Sequence, residues 1–161
     1  MVAVCPLVGS VNVPIWALPL LTAPGWILRS VTAISPTDAW AVGSQNGYHT
    51  PVAYHWDGTA WSLVATPALA GSGNNLFYRV AALDSAHVWA VGYTSAGSGP
   101  QPLVERWNGT AWSIEPTPTL SAGGMARGVA VTGGTVWAAG SRSDYVQGTL
   151  TDRTLTLRGL G

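Results

Sequence analysis

Lysine is missing from these 161 residues, and seven arginines balance seven acidic residues, so that charged side chains make up only 9% of the chain. A typical globular protein carries about 25%. Such sparse charge excludes long solvated helices, and the zero net charge leaves no basic footprint for nucleic acid or an anionic membrane. Cys5 is the single cysteine. It can close no internal disulfide and has no thiolate partner for a metal site. Long apolar runs are lacking too. The most apolar stretch, residues 1–25, holds no Lys or Arg and is broken by Pro6, Pro14, Pro19 and Pro24. Its longest run, Val13 to Leu21, is about half a membrane span and contains two of those prolines, which reads against a transmembrane helix. The missing basic flank reads against a cleaved signal peptide, and no hydrophobic segment precedes Val2-Ala3-Val4-Cys5 to make it a lipoprotein site.

What the chain has in excess is glycine (20), proline (11) and tryptophan (9). Together with the aliphatic content this predicts one ordered all-β unit of short strands and tight turns, and it excludes disorder. An internal repeat decides the architecture. Val31-Thr-Ala-Ile-Ser-Pro-Thr-Asp-Ala-Trp40-Ala-Val-Gly43 returns as Val80-Ala-Ala-Leu-Asp-Ser-Ala-His-Val-Trp89-Ala-Val-Gly92 and as Val129-Ala-Val-Thr-Gly-Gly-Thr-Val-Trp137-Ala-Ala-Gly140. Tyr54-His-Trp-Asp-Gly-Thr-Ala-Trp61-Ser-Leu returns as Glu105-Arg-Trp-Asn-Gly-Thr-Ala-Trp112-Ser-Ile. The period is about fifty residues, that of four-stranded propeller blades of the kelch type.

In the first unit the predicted strands are a, Leu28 to Ile34; b, Ala39 to Gly43; c, Pro51 to Trp56; and d, Thr59 to Ala65. Asp57-Gly58 and Asn108-Gly109 predict type I′ turns between c and d, because both central residues of that turn need positive φ. Asn108-Gly109-Thr110 is also formally a glycosylation sequon, but Asp at the same place in the partner repeat favours the turn. Ser35-Pro36-Thr37-Asp38 predicts an a–b turn with Pro in its second position. Trp16-Ala-Leu resembles the strand-d segments Trp61-Ser-Leu and Trp112-Ser-Ile. The chain therefore divides into an N-terminal segment, 1–27, with a lone outer strand near Trp16, blades at 28–67 and 76–118, and an incomplete blade at 125–158. That is about three blades' worth, a partial propeller or half of a closed ring. The recurrent Trp residues are expected to fill the gaps between blades rather than to form a sugar-stacking platform.

At Ser-Pro-Thr-Asp-Ala-Trp-Ala-Val-Gly (35–43), His-Trp-Asp-Gly-Thr-Ala-Trp-Ser (55–62), Thr66-Pro67 and Thr117-Pro118, the chain resembles the kelch-like, galactose-oxidase-type propeller repeats of exported bacterial proteins. The resemblance spans roughly residues 28–158 and implies an extracellular or cell-surface module of six or seven blades, of which about three are here. It implies no activity. The copper-binding Cys-Tyr and His constellation of the oxidase members is not matched, Cys5 lying outside the blades. The Asp-box of sialidase-type propellers is only approximated at Asp57-Gly58, and no set of three pocket arginines is assignable from the sequence.

No two of His49, His55 and His87 have metal-ligand spacing, and His55 aligns with Arg106, as a polar blade position would. No cofactor is expected, and no nucleophile, zinc-hydrolase or phosphate-loop motif is present. The a–b and c–d turns keep their length, whereas the predicted b–c loops grow from Ser44–Thr50 through Tyr93–Gln101 to Ser141–Arg153. Variable loops on a rigid scaffold concentrate binding residues, which makes Tyr48, His49, Tyr93, Gln101, Arg142, Asp144, Tyr145 and Gln147 the candidates. The expected function is a non-enzymatic module binding a protein or glycan partner through that loop face. Its alternatives are a fragment of a glycosidase- or lyase-type propeller enzyme and a truncated chain with no function of its own. Three blades leave two apolar faces uncovered, so the expected states are a homodimer closing a six-bladed ring or a piece of a longer propeller.

Overall fold

The computed structural model describes residues 25–69, 73–95 and 99–160. The fold is all-β, with three antiparallel, blade-like sheets among the described residues. Sheet one runs β1 (Ile27–Ser35), β2 (Asp38–Gln45), β3 (Thr50–Trp56) and β4 (Trp61–Val64), neighbours in space as in sequence. Sheet two repeats it with β5 (Asn75–Asp84), β6 (His87–Thr94), β7 (Gln101–Trp107) and β8 (Trp112–Ile114). Sheet three has β9 (Gly124–Thr132), β10 (Thr135–Val146) and β11 (Thr149–Leu160), with no fourth strand on β11 among the described residues. The strand expected near Trp16 lies outside the described residues.

Two hydrophobic layers hold the sheets together. Between sheets one and two, Trp40, Val42 and Ala53 meet Phe77, Val80, Val88, Leu103 and Trp112. Trp40 is edge-on to Trp112 at 5.2 Å and tilted against Trp107 at 4.9 Å. Between sheets two and three, Trp89, Val91 and Val104 meet Ala126, Val136 and Ala138. Alternation along a strand explains the layering, since Trp40 and Val42 point one way while Ala41 points the other, into a cluster with Val52, Tyr54 and Trp26. Truncating either central indole to Ala costs about 3–5 kcal/mol at such sites.

The repeated glycine closing each Trp-Ala-(Val/Ala)-Gly has a steric cause. A Cβ on Gly43, Gly92 or Gly140 would lie 1.9, 1.8 or 1.9 Å from the carbonyl oxygens of Ile27, Leu76 and Met125 respectively. Strand a comes this close because it carries a bulge there. Leu28 pairs with Gly43 and Ser30 with Val42, leaving Arg29 unpaired between them. Tyr78 is the extra residue between Phe77 and Arg79, and Arg127 between Ala126 and Gly128.

Two turn expectations change. The c–d connections are four-residue loops closed by the pairs Trp56–Trp61 and Trp107–Trp112, in which only Gly58 (φ 95°) and Gly109 (φ 94°) have positive φ. The Asp57 Oδ1 atom accepts from the amides of Thr59 (2.8 Å) and Ala60 (2.9 Å), and Asn108 Oδ1 accepts from Thr110 and Ala111 at 2.9 Å each. Asp and Asn are interchangeable here because each supplies one acceptor oxygen, not because each tolerates positive φ. The two-residue turns with positive φ at both positions are at Gly133-Gly134 and Gln147-Gly148. The second of these replaces the expected long loop Ser141–Arg153 with a hairpin, as β10 and β11 stay in register from Thr135–Leu160 to Val146–Thr149. The a–b turn at Pro36-Thr37 forms as expected between Ser35 and Asp38.

Candidate functional site

The three bulges place their extra residues side by side. β1 abuts β5 and β5 abuts β9, so the first strands of consecutive sheets are neighbours, and Arg29, Tyr78 and Arg127 occupy one repeat position in the three of them. A bulge turns a side chain out of the alternating pattern and re-aims it. Here it aims two guanidinium groups at one phenol ring. Arg29 Cζ lies 5.5 Å and Arg127 Cζ 5.1 Å from the Tyr78 centroid. Arg29 also stands 5.3 Å from the Tyr48 ring, and Tyr93 packs on Tyr78 at 5.9 Å. Arg79, next to the bulge, donates through Nη1 to the carbonyls of Arg29 and Tyr78 at 3.3 Å each. The Tyr78 hydroxyl is turned toward Met125 Sδ at 3.9 Å.

A hollow of about 480 Å³ is bounded by Ile27, Leu28, Arg29, Tyr78, Arg79 and Arg127, with Tyr48 and Tyr93 packed beside it. Its wall holds three cations and no acid. None of the ion pairs among the described residues includes these three arginines, and the Nε of Arg29 is buried without a partner. Of the other four arginines two are ion-paired and two lie over indoles, and Arg106 Nε, like Arg29 Nε, is buried without a hydrogen-bond partner. Arg142 and Arg153 share Asp144 at 3.1 and 3.5 Å, while Arg106 and Arg158 lie over the indoles of Trp89 and Trp137 at 5.5 and 5.4 Å. His55 occupies the corresponding place beside Trp40 and hydrogen-bonds Asp38 at 2.9 Å. Guanidinium forks match carboxylate and phosphate oxygens, although Arg79 Nη1 is already engaged by the Arg29 and Tyr78 carbonyls. Among the described residues no group of three or more His, Cys, Asp or Glu could hold a metal ion.

The eight residues expected to bind divide by position. Tyr48 and Tyr93 join the arginine cluster. His49 faces the Gly73 carbonyl through Nδ1 at 3.3 Å, and its own carbonyl accepts from the buried amide of Asn75 at 3.0 Å, so the Gln45–Thr50 loop is tied to sheet two. Gln101 is a clamp, its side-chain amide donating to the Leu120 carbonyl (2.9 Å) and its oxygen accepting from the Leu120 amide (2.7 Å). Arg142, Asp144 and Tyr145 belong to strand β10, and Gln147 to the hairpin tip, outside the hollow. Arg142 and Asp144 satisfy each other, while Tyr145 is 69% exposed.

Sequence reasoning missed Arg29, Tyr78, Arg79 and Arg127. The available signal was their repeat register, since 29, 78 and 127 are separated by the 49-residue interval that separates Trp40 from Trp89. The bulge that brings these residues together is not visible in composition. No family model matches the chain, and no curated protein matches it.

Proposed function

We propose that the chain is a non-enzymatic, kelch-like propeller module that binds a protein or glycan ligand at the loop end of its sheets, through a carboxylate on that ligand. The observation that carries this reading is the trio Arg29, Arg79 and Arg127 around Tyr78 with no acid among them. Three like charges held together repel one another, and a bound anion relieves that repulsion. The half-buried or exposed rings of Tyr48, Tyr78 and Tyr93 add flat surface on which a sugar or an aliphatic stem can lie. Kelch-like resemblance supports the propeller reading and an extracellular or cell-surface setting. The absence of a catalytic motif in the sequence supports a binding role over an enzymatic one.

The test is a binding screen on acidic and neutral glycans and on acidic peptides, repeated with the double variant Arg29→Gln/Arg127→Gln. Saturable binding of carboxylate-bearing ligands, weakened at least tenfold in the variant and reduced by salt, is the expected result. Equal binding of neutral ligands, or hydrolase or oxidase turnover at this hollow, overturns the reading.

A further inference from the structure

The connection between β2 and β3 contains three consecutive residues of positive φ, Asn46 at 54°, Gly47 at 65° and Tyr48 at 80°. Glycine and asparagine enter that region at little cost, whereas a bulky aromatic residue does so only under strain. Tyr48 is the one aromatic residue with positive φ among the described residues. Sheet two holds it there through Asn75, which is 2% exposed. The Asn75 backbone amide donates to the Tyr48 carbonyl at 2.6 Å, and its side-chain Nδ2 donates to the His49 carbonyl at 3.0 Å. The Thr94 hydroxyl fixes the Asn75 side chain in turn by donating to Oδ1 at 2.6 Å.

Burial does not repay this strain, because Tyr48 is 38% exposed. Its ring lies instead beside the arginine hollow, with Arg29 Cζ 5.3 Å from its centroid and the same Cζ 5.5 Å from the Tyr78 centroid. With rings against it, a guanidinium meets an acceptor through the edge of its fork. An acid bound at that edge carries its remaining atoms past the Tyr48 ring. Strain that the surroundings impose without a gain in packing marks a side chain placed for contact with something else.

We propose that the Tyr48 ring is the platform for the body of the ligand and that the ligand, on the reading that the arginines take a carboxylate, is a hexuronate residue of an acidic glycan. In a hexuronate the carboxylate is joined directly to the pyranose ring, so an acid group on Arg29 brings the sugar's C–H face within reach of the neighbouring phenol. An aspartate or glutamate side chain offers that platform only flexible methylenes. A ring fixed by its own backbone loses little freedom on binding, and a rigid sugar makes the most of such a surface.

Titration calorimetry on the full chain at fixed ionic strength separates the parts, since acetate offers the carboxylate alone, glucose the ring alone and glucuronate both. Glucuronate is expected to bind about fivefold or more tightly than acetate, with no saturable binding of glucose. Tyr48→Ala and Tyr48→Gly are expected to reduce that preference to about twofold or less while strand circular dichroism is retained, and Tyr48→Phe is expected to keep it. Glycine accepts the backbone at position 48 and alanine does not, so Tyr48→Gly is also expected to melt above Tyr48→Ala. The reverse order would mean an unstrained backbone and overturns the proposal. Equal binding of acetate and glucuronate, or a preference that survives both ring deletions, overturns it as well. In those cases acid binding that Arg29→Gln/Arg127→Gln abolishes leaves the carboxylate reading standing. A glutamate-rich peptide held more tightly than glucuronate through Tyr48 overturns the hexuronate alone, whereas binding of no acid at all overturns both.

Discussion

Glu105 gives the sharpest thermodynamic handle on the layer between sheets one and two. It sits in β7 at the repeat position that Tyr54 holds in β3, fully buried, and neither carboxylate oxygen has a hydrogen-bond partner. The indole nitrogens of Trp40 and Trp112, in the same layer, are also unpartnered. Burial pushes the Glu105 carboxyl up from 4.5 to about 8. Its folded-state pKa therefore lies above its unfolded value, and between the two the folded chain holds a proton that the unfolded chain releases. Stability must then fall as pH rises through that window, by about 1.4 kcal/mol per pH unit, to a total bounded at roughly 5 kcal/mol above pH 8. That loss is comparable to the whole stability of a small domain, about 5–15 kcal/mol. Urea unfolding followed by tryptophan fluorescence at pH 5, 7 and 9 reads it directly. Glu105→Gln keeps the shape and removes the titration, so its stability is expected to exceed wild type at pH 9 and to converge toward it at pH 5. Taking the difference between the two proteins cancels the histidines. Parallel pH profiles for wild type and variant would refute the reasoning, because they would mean that Glu105 is ionised and partnered in the folded chain.

Other perturbations separate the remaining forces. Gly92→Ala drives a Cβ into the Leu76 carbonyl and is expected to cost 3 kcal/mol or more in a thermal melt, whereas Gly47→Ala, with open space but φ at 65°, costs about 1 kcal/mol. Trp107→Phe loses the Nε1 hydrogen bond to the Ser85 carbonyl (3.2 Å) that fixes the turn between β5 and β6, and is expected to lower stability by about 1–2 kcal/mol in chemical denaturation. The Thr59 hydroxyl, helped by the backbone amides of Ala60 and Thr59, holds the exposed Asp57 carboxyl at about 2, below its unfolded value. Its contribution is present above pH 4 and lost as pH falls toward 2. Asp57→Asn, which reproduces the loop of Asn108, is expected to flatten that acid limb in pH-dependent melting.

The fold was legible because the repeat writes its own packing. Trp40 and Trp89 recur where one sheet must cover the next, and Gly43, Gly92 and Gly140 recur where a carbonyl leaves no space for a side chain. Turn chemistry was only partly legible. Asp57-Gly58 resembles a two-residue turn, but an acceptor oxygen reaching Thr59 and Ala60 stabilises a four-residue loop instead. Residues 141–153 read as loop because few apolar side chains alternate there, yet the Gln147-Gly148 turn and unbroken backbone pairing carry them as strand. The arginine-lined hollow was the least legible feature. Arg29 and Arg127 share a repeat position, but only the bulges and the contact between first strands turn that coincidence into a cluster. Gln101 and Asn75 show the converse, polar residues near loops whose hydrogen bonds are spent on holding the chain.

Whether the arginines around Tyr78 act as one anion site can be measured directly. Side-chain Nε–Hε resonances of all seven arginines can be followed by NMR during titration with a simple carboxylate such as glucuronate, at fixed ionic strength. Arg29, Arg79 and Arg127 are expected to shift together with a single saturable curve, while Arg142 and Arg153, already sharing Asp144, stay in place. Uniform small shifts across all seven, or saturation at Arg142 and Arg153 with none at the trio, would contradict it.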